Sequence, residues 1–359
     1  MTKIAFPQMG DYYIPATFLL SHIFPKDEII KAPKITSKTI ELGTEHSPEF
    51  VCTPFKYTLG TMIECIEKGA ETLIQMGGGC RYGYYAELQE KILKDLDYNC
   101  KIINLVTEGT TSLKRINKLL KQINPKYSKI KALYYGFITI KMVKYMDEID
   151  DYIRENIGFE IEKGSFESLK EEMLITFSHV NTYRQLYKAY KRYLKKFHKI
   201  KIHKPDNRLK IGIIGELYTI MEPFSNYFLE KELAKHHIEI KRFTNVHYLL
   251  FEKAHKYKKY KKYSNEYFTY SMGADASDNI ARCKYLCEND YDGIIHIKSS
   301  FCTPEIGAMP IINKIADIYQ KPVLFFSFDS ATSETGIQTR LEAFYDMLEM
   351  RKDKWKIVT

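Results

Sequence analysis

The chain has 359 residues, 45% of them hydrophobic, with 28 Tyr and 20 Phe. That is enough for two packed domains of about 100–200 residues each. The formal charge of +9 gathers mainly in residues 183–204 and 253–262, which read as solvated helix faces, and no RNA-binding signature accompanies them, so nucleic acid is not an expected partner. No secretory signal is legible and the longest apolar stretch, residues 14–24, falls short of the roughly 20 residues of a membrane helix. The seven cysteines are then expected to be reduced thiols or metal ligands of a cytoplasmic protein.

In chain order, residues 3–7 read as a strand, 14–24 as a helix and 28–32 as a second strand. Residues 33–50 are polar and read as irregular. Thr53 and Pro54, a good cap and a good first helical residue, open a helix directly after Cys52. Residues 72–76 form a buried strand that runs into Gly77-Gly78-Gly79-Cys80, and a helix covers 84–94. Three glycines permit a sharp turn and close approach of an external group; a tight turn holding a buried thiol is the plainer reading. Residues 100–105 make another strand. Strands and helices alternating with short connections predict an α/β domain with a largely parallel sheet over residues 1–107.

Between residues 108 and 205 helical spacing dominates, in segments 111–123, 127–156 and 166–199, which predicts a helical insertion or bridge. Residues 206–359 form a second α/β domain, with strands at 209–214, 238–243, 293–297 and 323–328. Its helices are expected at 223–236, 248–263, 277–288 and 339–350.

An internal echo singles out three thiols. Cys52-Thr53-Pro54 and Cys302-Thr303-Pro304 are the same tripeptide, one per α/β domain, each after an apolar, strand-like segment. With Cys80 they place three thiols ahead of helix N-termini, where free backbone N–H groups favour an anion. Ligands of open parallel sheets bind outside the carboxyl ends of the strands, where such turns lie. Convergence of the three on one cleft is one reading; the other is that Thr-Pro is simply a good helix opener. Cys283 and Cys287 share the apolar side of a helix, Cys65 lies beside another apolar stripe and Cys100 opens a strand, all ordinary core positions. A structural zinc asks for paired short-spacing motifs, and no Cys-x-x-Cys is present. A cubane iron–sulfur cluster accepts widely spaced thiolates, and three leave one iron open. The G-x-G-x-x-G, G-x-x-x-x-G-K-[ST] and G-x-S-x-G motifs are absent.

The runs Cys52-Thr53-Pro54-Phe55-Lys56, Gly77-Gly78-Gly79-Cys80-Arg81-Tyr82-Gly83-Tyr84-Tyr85, Asp292-Gly293-Ile294-Ile295, Cys302-Thr303-Pro304-Glu305 and Gly336-Ile337-Gln338-Thr339-Arg340-Leu341-Glu342-Ala343-Phe344 occur in that order. Together they resemble the 2-hydroxyacyl-CoA dehydratase superfamily, especially its branch of activase-associated and double-cubane-cluster-like proteins. The resemblance implies two flavodoxin-like domains around an iron–sulfur cluster, with Cys52, Cys80 and Cys302 as ligands of a [4Fe-4S] cluster. The alternative it carries is a double-cubane [8Fe-9S] cluster, which would recruit Cys283, Cys287 or Cys65. It also implies a separate ATPase activator supplying low-potential electrons, an acyl-CoA or other small substrate, and a homo- or heterodimer. Glu305 and Arg81 stand beside the cysteine turns as catalytic candidates, with Lys56, Tyr82, Glu216, Asp329 and Arg340 as further polar groups near strand ends. A non-catalytic electron-transfer or scaffold subunit is the second functional reading.

Overall fold

The computed structural model describes residues 1–75, 80–105 and 113–358; the glycines Gly77, Gly78 and Gly79, Met76 and residues 106–112 lie outside the described residues. The chain divides into two compact units, Met1–Val143 with Phe177–Tyr183, and Lys144–Thr176 with Arg184–Thr359. The elements of the first unit are β1 (Lys3–Ala5), α1 (Tyr13–Ile23), β2 (Glu28–Ile29), α2 (Ser37–Glu45), α3 (Thr53–Glu67), β3 (Thr72–Gln75), α4 (Tyr85–Asp95), β4 (Lys101–Asn104), α5 (Leu113–Ile123) and the first half of α6 (Lys129–Asn156). Then follow α7 (Ser165–Ser178) and α8 (Tyr183–Phe197). The second unit continues with β5 (Lys210–Gly215), α9 (Leu217–Met221), α10 (Leu229–Lys235), β6 (Glu239–Arg242), α11 (Lys253–Tyr263), α12 (Ala276–Glu288), β7 (Gly293–Ser299), α13 (Thr303–Ile318), β8 (Val323–Phe328) and α14 (Glu334–Val358).

Both sheets are four-stranded and all-parallel, ordered β2-β1-β3-β4 and β6-β5-β7-β8. This α/β architecture, with the flavodoxin-like strand order repeated, is the one the sequence predicts. In the first sheet successive side chains go to opposite faces: Ala5 and Leu73 pack with Phe55, Leu59 and Met62, whereas Ile4 and Ile74 pack with Leu20, Ile23 and Phe24. Helices thus cover both faces, which is why the central strand β3 is buried throughout, while the edge strands β2 and β4 keep exposed Glu28 and Lys101. In the second unit Ile214 and Ile294 pack against Ile280, Leu286, Ile312 and Ile315 of α12 and α13.

Residues 33–50 are not irregular, because they contain α2. The helix is short and rich in Ser and Thr, but tertiary packing secures it. A Cβ on Gly43 would stand 1.8 Å from the Lys56 carbonyl oxygen and one on Gly60 1.9 Å from that of Thr39, so α2 and α3 cross in backbone contact that only glycine allows. The buried Thr39 hydroxyl also donates to Glu64 at 2.8 Å. The expected helix 166–199 is broken after Ser178 at Asn181 and Thr182, residues that favour turns. The expected helix 223–236 is likewise broken. Asn226 donates to Thr219 O at 2.6 Å and accepts from Leu229 N at 3.0 Å, so its side chain replaces helical hydrogen bonds before α10 starts. Of the basic tracts, α8 buries Leu186, Ala189, Tyr190, Tyr193 and Phe197 and exposes Arg184, Lys188, Lys191 and Lys195; α11 has no buried residue. Among the described residues no helix is long and apolar enough to cross a membrane.

Candidate functional site

In the first unit Cys52 and Cys80 each stand at the start of a helical segment, and the two segments meet at Tyr85. Cys52 N-caps α3, with Pro54 in the first turn and an extended backbone at φ −70°, ψ 153°. Since α3 leads into β3, and strand and helix run in opposite directions, its N-terminus lies at the carboxyl edge of the sheet. Cys80 follows the end of β3 and N-caps the 3-10 turn Arg81–Tyr84, where its sulfur accepts the Tyr82 N–H at 3.4 Å. Tyr85, the first residue of α4 and 6% exposed, joins them: its hydroxyl hydrogen-bonds Cys52 Sγ. The phenol is pushed far above its ordinary range by burial first, then by the charge and hydrogen bond of Cys52, and further by the charge of Cys80. Phe55 meets the Tyr85 ring edge-on at 4.8 Å and Tyr82 lies against it at 4.7 Å. One half-buried thiol, Cys52, therefore bonds the phenol, and the turn of the other, Cys80, packs on its ring through Tyr82.

A buried amide network holds this scaffold. Gln89 of α4 donates to Thr58 Oγ1 at 2.7 Å and to Phe55 O at 3.3 Å, both on α3, and accepts from Gln75 of β3 at 3.2 Å. Asn104, at the end of β4, donates to Gly83 O at 3.2 Å and steadies the Cys80 turn.

In the second unit Cys302 follows β7, N-caps α13 with Pro304 in the first turn, and is 9% exposed. Ser300 N donates to Phe328 O at 2.8 Å and Ser300 Oγ to Asp329 at 3.0 Å, so the end of β8 holds this turn as β4 holds that of Cys80. Lys298 is buried at 4% exposure with its amine 3.5 Å from Ser299 O and Ser300 O. Burial lowers its pKa, against the opposing pull of the Cys302 and Glu305 charges.

The Cys-Thr-Pro echo does not mark equivalent places. Cys52 precedes the helix before the third strand of its sheet; Cys302 precedes the helix after the third strand. The positional counterpart of Cys302 is Cys80, and the N-cap matching Cys52 is Asp275, ahead of α12. Nor does Cys52 follow a strand, since residues 46–52 carry none.

The other candidates are dispersed. Arg81 is exposed on the turn after Cys80, whereas Lys56 is buried in α3. Tyr82 is half-buried beside Tyr85. Glu305 is 1% exposed and turned inward. Glu216 caps α9, accepting from Tyr218 N at 2.8 Å and Thr219 N at 2.9 Å, and burial nonetheless raises its pKa to about 7. Arg340 donates to Phe325 O at 2.7 Å and lies over the Phe326 ring. Asp329 is committed to Ser300, Ala331 and Thr332.

Cys65, Cys283 and Cys287 are buried in the two cores. Burial pushes the Cys65 thiol up to about 12, and Cys283 is pushed up by its hydrogen bond to Cys287 and by burial. These three fit core filling and not a second cubane. Cys52, Cys80 and Cys302 fit thiolate ligation better, since each caps a helical turn. Among the described residues no three Cys, His, Asp or Glu side chains gather closely enough to hold a metal ion. Residues missed by the sequence reading are Tyr85, Gln89, Asn279, His296 and Lys298. His296 carries a legible signal, a polar side chain within the apolar run Ile294-Ile295-His296-Ile297 that has to be buried with a partner; Gln89 and Asn279 stand among polar neighbours and carry none.

Residues 216–348, all within the second unit, match the family model described as 2-hydroxyglutaryl-CoA dehydratase, D-component. The match includes Cys302 and Glu305 and ends short of Cys52 and Cys80. No curated protein matches the chain.

Proposed function

We propose that the chain is an iron–sulfur protein of the 2-hydroxyacyl-CoA dehydratase type, the superfamily to which the match over residues 216–348 points, with Cys52, Cys80 and Cys302 as the thiolate ligands of one [4Fe-4S] cluster. Such a cluster, when bound, supplies a low-potential electron received from a separate ATP-dependent activator, and an iron open to a substrate oxygen. The reaction class is reductive or radical dehydration of a small substrate such as an acyl-CoA.

The observation that carries the reading is the hydrogen bond between Cys52 and Tyr85, whose ring packs on Tyr82 of the turn that Cys80 opens. Two thiols at separate helix starts thus lie on segments that pack on one tyrosine. The Tyr85 hydroxyl donates to Cys52, which would hold a ligand sulfur in place and moderate its charge. Arg81, exposed one residue after Cys80, is the cation assigned to the substrate's anionic groups. The core burial of Cys65, Cys283 and Cys287 supports one cubane over the double form.

Anaerobic purification and metal analysis test this. A brown protein with about four irons and four sulfides per chain is expected. Cys52→Ala, Cys80→Ala and Cys302→Ala should each lower iron content or alter the spectrum. A wild-type chain that stays colourless after anaerobic reconstitution sinks the reading. Turnover with activator, ATP and a reductant then separates an enzyme from an electron carrier.

A further inference from the structure

Glu305 occupies the third helical position of α13, where a glutamate commonly reaches back to the N-cap backbone. Here it does something else. At 1% exposure its Oε1 accepts from Asn279 Nδ2 at 2.9 Å and its Oε2 meets His296 Nε2 at 2.8 Å. Asn279 Nδ2 also donates to Gly215 O at 2.9 Å, and Asn279 Oδ1 accepts from Arg282 at 3.2 Å. Asn279, Arg282 and His296 are each at most 2% exposed. One carboxylate therefore ties the first turn of α13 to the end of β5, to α12 and to β7. Gly215 is part of the fit: with φ at +141°, an added Cβ would strike Ile297 O at 1.8 Å.

The other imidazole nitrogen, His296 Nδ1, is buried with no hydrogen-bond partner. The proton consequently belongs on Nε2, facing the carboxylate, because a second N–H would be buried unpaired.

We infer that Glu305 and His296 are positioning residues that fix the turn carrying Cys302, and that Glu305 does not act as an acid or base on substrate. Both carboxylate oxygens are engaged and sealed from solvent. The consequence for a cluster rests on Cys302 being a ligand, as proposed above; the clamp itself is testable on the metal-free full-length chain.

Two readouts are taken together: competition alkylation of Cys302 and Cys52 with iodoacetamide, read by peptide mass, and long-range proton–nitrogen correlation of the His296 ring. In the wild type His296 should show the Nε2–H tautomer, and Cys302 should react slowly. Glu305→Gln, close to isosteric, should lose that ring signature and speed Cys302 alkylation about tenfold, with Cys52 unchanged. Asn279→Ala, which removes the other tether, should speed Cys302 about threefold. The inference is overturned if both variants leave the Cys302 rate and the ring signals unaltered. It is equally overturned if Cys52 accelerates in step with Cys302, since that reports general loosening. A wild-type chain that takes up no iron yet gives the stated rates keeps the clamp and removes the cluster reading; the reverse pattern removes only the clamp.

Discussion

The turn after the third strand is built twice in this protein, and the two copies differ in chemistry more than in geometry. In the first unit Cys80 is half-buried, opens a turn whose Tyr82 packs on Tyr85, and rests on a neutral clamp in which Gln89 links α4 to α3 and β3. In the second unit Cys302 is buried beside Lys298 and rests on a charged clamp in which Glu305 links α13 to α12 and β7. The clamps bridge the same three elements of the repeated topology. Where the first unit caps its pre-strand helix with Cys52, the second uses Asp275. A shared fold thus fixes where polar groups can meet, and the sequence decides whether they are thiols, amides or charges.

The largest expected effect breaks the helix crossing that only the first unit has. Gly60→Ala would ordinarily favour a helix, but its Cβ would stand 1.9 Å from Thr39 O; a loss of about 3 kcal/mol is expected in urea denaturation. Gly136→Ala in α6, where a Cβ meets nothing within 4 Å, should instead gain about 0.5–1 kcal/mol. Equal effects at the two positions would deny the backbone contact.

The clamps come next. Glu305→Ala removes two hydrogen bonds to a charged acceptor and leaves His296 and Asn279 short of partners, so about 3 kcal/mol should be lost, against about 2 kcal/mol for Gln89→Ala. A larger loss for Gln89→Ala would reverse the comparison.

Glu216, at the end of β5, has no acidic counterpart after β1, which runs on into Phe6 and Pro7. Its pKa is raised from 4.5 to about 7 by burial, so the folded chain keeps a proton that the unfolded chain has already released. Stability contributed by the protonated carboxyl is then lost as pH rises from about 4.5 through 7. Glu216→Gln should flatten the wild-type decline in thermal midpoint over that window, and an unchanged slope would show that another group sets it.

The smallest effect belongs to the phenol. Tyr85→Phe removes the hydroxyl at Cys52 at a cost of about 1 kcal/mol, and should raise Cys52 alkylation while leaving Cys302 as it was. Parallel changes at both thiols would mean that the phenol does not act locally.

Much of this was legible beforehand. Apolar runs such as Leu73-Ile74 and Ile294-Ile295 are buried strands, and Thr-Pro after Cys52 and Cys302 opens helices in both places. The repeated Cys-Thr-Pro suggested equivalence, but local helix-opening chemistry is blind to which helix it opens. The helix α2 escaped notice because its stability comes from Gly43 and Gly60, residues that argue against helix until two backbones touch. Glu305 read as a catalytic candidate because it stands beside the Cys302 turn; its inward rotation toward His296 and Asn279 depends on groups nine and 26 residues away in the chain.

What the sequence alone determined is the alternation of strands and helices, the parallel α/β class and the placing of three thiols ahead of helical turns, since each follows from local periodicity and capping. Only the tertiary structure decided that Cys52 meets Tyr85, that Cys80 and Cys302 are the matching pair, and that Glu305 is enclosed. Those outcomes depend on which side chains the folded sheets bring within hydrogen-bonding distance, and on the cost of burying any polar group that finds no partner.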